Sequence, residues 1–120
     1  MGTEFTATRG RISLSLQLEM LGRDAQLILR GGRAHIGAVA IAPGDGASPS
    51  LVTLPGHREG ELALAMAQRL AHASGRTVCV SAGIHYDHIT REEINTVLTL
   101  VASLTDDCLA FLSRHNAVDN

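Results

Sequence analysis

Four histidines fall in three short glycine-containing stretches: His35 in RAHIG, His57 in LPGHRE, and His85 and His88 in GIHYDH. Each stretch also carries charge, with Arg33 beside the first, Arg58 and Glu59 in the second, and Asp87 in the third. Imidazole titrates near neutrality and can donate a hydrogen bond, accept one or ligate a transition metal. These residue types therefore suit three tasks. One is a metal site with His35, His57 and His85 as ligands of a divalent ion and Asp87 or Glu59 as base. The second is proton transfer, and the third is recognition of a polar or anionic ligand. HYDH alone is a weak metal pattern, because its two histidines lie close together on one turn. Gly31, Gly32, Gly37, Gly56 and Gly83 would let backbone approach a ligand closely. Ordinary structural uses compete with all of this. Glu59, Glu61, Glu92 and Glu93 stand where acids complement a helix dipole, and an Asp such as Asp87 often bonds turn backbone. No nucleophile elbow, Walker loop or dinucleotide fingerprint is present.

The elements that must position these stretches are legible from periodicity. Ile12, Leu14, Leu16, Leu18 and Met20 alternate with Ser13, Ser15, Gln17 and Glu19, which predicts a strand over 11–21 with one face on a core. Strands follow over 25–30, 34–42 and 51–54. The period then becomes helical over 57–74, with Leu62, Met66, Leu70 and Ala73 on the core face and Gly75 as the stop. A fifth strand spans 77–84. A last helix begins at Thr90, where Glu93 completes a capping box, and its core stripe is Ile94, Val97, Leu98, Val101, Leu104, Cys108 and Leu112.

The fold expected is α+β: a two-layer sandwich with a mixed five-stranded sheet, order β-β-β-β-α-β-α, and both helices on one face. Residues 11–115 form the single domain, and residues 1–10 are set aside as an N-terminal segment that partly looks like added cloning sequence. A four-strand meander followed by a helical crossover brings RAHIG, LPGHRE and GIHYDH to one sheet edge. The N-termini of both helices, with their partial positive charge, arrive there too, and Arg30, Arg33 and Arg58 are near in sequence.

Bulk composition narrows the function classes. In 120 residues, 45% are hydrophobic and 18% charged, and the net charge is −2, with ten arginines and no lysine. The arginines are scattered, so no nucleic-acid footprint is expected. Cys79 and Cys108 lie in apolar stretches without a CxxC, as core thiols of a reducing compartment do. Asp106 and Asp107 interrupt the most apolar late segment, so no membrane span is expected, and the N-terminus lacks a signal-peptide pattern. The expected location is cytoplasmic.

HIGAVAIA, VTLPGHREGELA and VCVSAGIHYDHITREEI resemble the small LpdD-like proteins associated with UbiD-type aromatic decarboxylases and described as prenylated-flavin chaperones. The resemblance runs from about Arg11 to Leu112. It implies a non-catalytic protein that binds prenylated FMN, or FMN, and assists its delivery to a UbiD-type decarboxylase in a transient complex. By motif, the residues it points to are His35, Gly37, Gly56, His57, Glu59, His85 and Asp87. Arg58 and Tyr86 join them because they stand within the same motifs, and Tyr86 is the one aromatic near enough to stack on a flavin. Two other readings compete: a metal-dependent enzyme with the three-histidine site, and an accessory decarboxylase subunit without a cofactor of its own. The clean alternation of 11–21 and the small apolar strand at 34–42 leave one sheet face uncovered, which predicts a homodimer through that face.

Overall fold

The computed structural model describes residues 2–56 and 58–115. Eight elements follow one another: β1 (Thr3–Arg9), β2 (Ile12–Leu21), β3 (Asp24–Gly32), β4 (Ala38–Ala42), β5 (Ser50–Thr53), α1 (Gly60–Ser74), β6 (Val78–His85) and α2 (Arg91–Arg114). The class is α+β, as the patterning predicts, but the sheet has six strands in the order β1-β2-β3-β6-β4-β5. The additional strand is β1. Phe5 and Ala7 turn inward while Glu4, Thr6 and Thr8 stay exposed, so the segment set aside as a tail pairs with β2 along its whole length.

The meander breaks after β3. β6 runs parallel to β3 on one side and antiparallel to β4 on the other, so it lies between two strands that are consecutive in sequence. The reason is in the segment between them. Residues 33–37 are not extended pairing strand but a crossing connection, so the strand expected over 34–42 begins only at Ala38. β6 supplies Val78, Val80 and Ala82 to the core from a central place in the sheet.

The buried apolar side chains of the strands share one face. Leu16, Leu29, Ala82 and Ala38 form one row across β2, β3, β6 and β4, with Leu18, Leu27, Val80 and Ala40 next to it. A one-residue slip of β2 would turn Leu14, Leu16 and Leu18 to the opposite face, so the buried stripe fixes the register. Both helices cover this face and contact each other, α1 over β4 and β6, α2 over β1 and β2.

α1 begins at Gly60, three residues later than periodicity suggests, and its buried face is Ala63, Met66, Ala67, Leu70 and Ala71. Of the expected stripe, Leu62 is half-buried and Ala73 exposed. α2 keeps Val97, Val101, Leu104, Cys108 and Leu112 in the core and adds Leu100, but Ile94 and Leu98 are 44% and 48% exposed. Helical spacing predicts both in the core. Arg76, almost fully buried, donates to the carbonyls of Arg23 and Leu112 and so ties the β2–β3 turn to the last turn of α2.

Candidate functional site

The crossing connection builds the first wall of the site. Residues 33–37 pass over the end of β6, held by Arg33 N–H to the His85 carbonyl at 3.0 Å and Gly37 N–H to the Ala82 carbonyl at 2.9 Å. Gly83 makes the crossing possible, because a Cβ there would lie 1.6 Å from the His35 carbonyl oxygen. The Leu54 N–H donates to the Gly37 carbonyl at 2.9 Å, which brings the end of β5 to the same place. RAHIG, the residues after β5 and GIHYDH therefore do meet at one edge, as the topology argument expects, although a different strand order produces the meeting.

Glu59 locks these segments together. It is buried, at 6% exposure. Its carboxylate accepts from the Arg58 N–H at 2.9 Å and from the Ile84 N–H at 3.2 Å, and lies 2.6 Å from His35 Nε2. His35 Nδ1 faces the Arg33 carbonyl at 3.0 Å, so both ring nitrogens point at oxygen acceptors. Burial pushes the Glu59 carboxyl up, but the backbone N–H groups of Arg58, Ile84 and Glu59 itself, with the charge of His35, outweigh it. The net result is a carboxyl held below the usual range. Gly37 serves this arrangement, since a Cβ on it would come 2.3 Å from Glu59 Oε2. With its carboxylate committed to three segments, Glu59 does not cap α1, whose N-terminus has no side-chain cap.

A second polar cluster stands beside it. His85 Nε2 and Arg33 approach the same oxygen of Asp87, at 2.9 and 3.0 Å. The His85 hydrogen bond and then the Arg33 charge hold the Asp87 carboxyl below its ordinary value. Arg11 donates to both oxygens of Glu93, at 2.7 and 2.9 Å, and to the Asp87 carbonyl at 2.8 Å. That fork, together with the Thr90 N–H, lowers the Glu93 carboxyl to about 2. The Tyr86 hydroxyl accepts from the Ser13 N–H and donates to the Ser13 carbonyl, each at 2.8 Å, continuing the β2 ladder where β3 stops. Arg11 lies over the Tyr86 ring at 5.6 Å. Tyr86 is thus an anchored residue, and its hydroxyl is already engaged.

Between these clusters and the helices lies a cleft of about 530 Å³. Its polar side comprises His35, Gly56, Arg58, Glu59, Glu61 and His85. Its apolar lining comprises Leu62, Ile84, Ile89, Ile94, Val97 and Leu98, together with Tyr86. Of the residues singled out from sequence, His35, Gly56, Arg58, Glu59, His85 and Tyr86 line the cleft. Gly37 and Asp87 support it from behind, and His57 lies outside the described residues. Among the described residues no three His, Cys, Asp or Glu side chains form a group that could hold a metal ion. His35 and His85 each engage a different carboxylate.

Sequence reasoning missed the apolar half. Ile94 and Leu98 carry an ordinary helical core spacing, and only their exposure reveals another use. It also missed Arg11, whose partner Glu93 is remote in sequence and gives no local signal.

Comparison with known proteins bears on the same span. Residues 8–113 match the family model for the prenylated flavin chaperone LpdD-like domain. Protein LpdD of Lactiplantibacillus plantarum is 24% identical over 117 residues, covering 92% of this chain and 85% of that protein. A crystal structure of a chaperone complex for yeast 20S proteasome assembly has the same fold, with a TM-score of 0.59 over 94% of this chain and 96% of that one. Its 11% identity carries the likeness no further than the fold.

Proposed function

Since the chain belongs to the LpdD-like family of prenylated-flavin chaperones, we propose that the cleft binds prenylated FMN and that the protein hands it to a UbiD-type decarboxylase without turning it over. The observation that carries this reading is the cleft itself, a half-open site of about 530 Å³ with one polar and one apolar side. Such a volume lies within the range of cofactor sites. Its residues fit the group: Arg58 and the uncapped start of α1 suit a phosphate, and His35 and His85 offer ring nitrogens to the polar edge of a flavin. The bound group would bring its own reactive ring chemistry to the enzyme that uses it. This chain's residues hold it, orient it and let it go.

Release is favoured by the cleft's exposure. Ile89, Ile94 and Leu98 are all more than one-third exposed and line a cleft that stays open to solvent. A ligand held there keeps one side available to a partner, as a transient complex requires. The test is transfer. Apo-decarboxylase mixed with flavin-loaded protein should gain activity faster than with the same concentration of free prenylated FMN. Equal rates would rule out delivery and leave a storage role.

We also propose that two copies associate through the helix-free face of the sheet. Ile28, Ser81, Val39 and Val52 form a row across β3, β6, β4 and β5 on that face, with Ile41 beside Cys79 in the next row. Ile28, Ile41 and Val52 are 42%, 43% and 62% exposed, an apolar patch that a second copy would cover.

A further inference from the structure

We infer that the α2 wall of the cleft, Ile94 and Leu98 above the buried Val97, is the element that selects prenylated over unprenylated flavin by taking up the isoprenoid-derived carbons. The inference rests on the proposed cofactor reading and adds an orientation to it.

The argument begins with two side chains that the core does not need. Ile94 and Leu98 are one helical turn apart, so they stand on the same face of α2. Both are nearly half exposed, while the residues on either side of that stripe, Val97 and Val101, are 6% exposed and pack on the sheet. Every residue that α2 contributes to the cleft is apolar: Ile94, Val97 and Leu98. The residues at the strand ends and in the connections that carry charge or imidazole are His35, Arg58, Glu59 and His85. Glu61, also polar, comes from the first turn of α1.

α2 therefore gives the cleft hydrocarbon alone, joined by Leu62 of α1, Ile84 of β6 and Ile89 of the loop before α2. The charged and imidazole groups come from the strand ends, the connections and the first turn of α1. The cleft's polar side is fixed by Glu59 and offers Arg58 to an anion, so a flavin phosphate and pyrimidine edge belong there. That orientation leaves the hydrocarbon-rich part of the ligand toward α2. Prenylated FMN carries isoprenoid carbons that FMN lacks, so a wall of hydrocarbon can tell the two apart. A single methylene in an apolar pocket changes affinity by roughly tenfold or more, and several partly buried carbons reach at least that.

The experiment is equilibrium dialysis of the full chain against prenylated FMN under anaerobic conditions and, separately, against FMN. It compares wild type, Leu98→Asn, Ile94→Asn and Arg58→Gln. Wild type should favour prenylated FMN by roughly tenfold or more. Leu98→Asn and Ile94→Asn should shrink that ratio, chiefly by weakening prenylated FMN, while Arg58→Gln should weaken both ligands together. Both asparagine substitutions fall on exposed sites, and unchanged thermal unfolding would confirm that the fold is retained. A wild type that binds both flavins equally would overturn the assignment, as would a ratio unchanged in both asparagine variants, with the cofactor reading intact. Failure of wild type to retain either flavin would overturn the cofactor reading, and the assignment with it.

Discussion

At the scale of single residues, Glu59 organises the site. It is a buried acid that accepts from the backbone of two segments and pairs with an imidazole from a third. Glu59→Gln removes the charge and should destabilise the protein by about 1.5–3 kcal/mol, the range for hydrogen bonds to charged groups. Gly37→Ala should displace the same carboxylate. Because both changes break one arrangement, the double variant should lose less than the sum of the singles in urea unfolding. Strict additivity would show that Gly37 and Glu59 act independently. Sequence did point to His35, Gly37 and Glu59, through their motifs. It could not show that Gly37 is small for the sake of Glu59, because that contact joins residues 22 positions apart across two loops.

At the scale of elements, the two helix starts behave differently. α2 is fully capped: Thr90 accepts from the Glu93 N–H at 3.0 Å, and Glu93 accepts in return from the Thr90 N–H at 3.1 Å. This capping box was legible because its signal is local. The Arg11 fork on Glu93 was not, since it connects the start of β2 to α2. It has a pH signature. The Glu93 carboxyl sits near 2 in the folded chain, against an ordinary 4.5, so its contribution is present above about 4.5 and disappears as pH falls toward 2. Wild type should exceed Glu93→Gln in chemical-denaturation stability at neutral pH, with the difference closing between those limits. Glutamine keeps the capping geometry, so the comparison isolates the charge. A gap that stays constant down to pH 2 would contradict the fork. Ile94 and Leu98 were misread at this scale because helical spacing says which residues share a face but not whether anything covers that face.

At the scale of the whole molecule, the class and the meeting of the three motifs were legible, and the strand order was not. Alternation and capping identify elements locally, but the insertion of β6 between β3 and β4 depends on a loop crossing at Gly83, a contact without local trace. β1 went unread because its alternation lies in a segment set aside as a tail. The proposed dimer has an internal reporter. Cys108 is fully buried and its thiol is pushed up to about 12 by burial, so it should resist alkylation in the native protein. Cys79 points to the open sheet face and should react when the chain is dilute, then become protected as copies associate. A light-scattering mass of one chain at roughly 10 μM, above ordinary dimer affinities, with Cys79 reactive throughout, would exclude the dimer.

The central claim, that the cleft holds prenylated flavin, is tested most directly by the absorption spectrum of the protein peak after incubation with prenylated FMN and gel filtration. The wild-type peak should carry flavin absorbance, and His85→Ala, which removes an exposed cleft residue and leaves the core intact, should lose most of it. A colourless wild-type peak under both anaerobic and aerobic conditions would contradict the account.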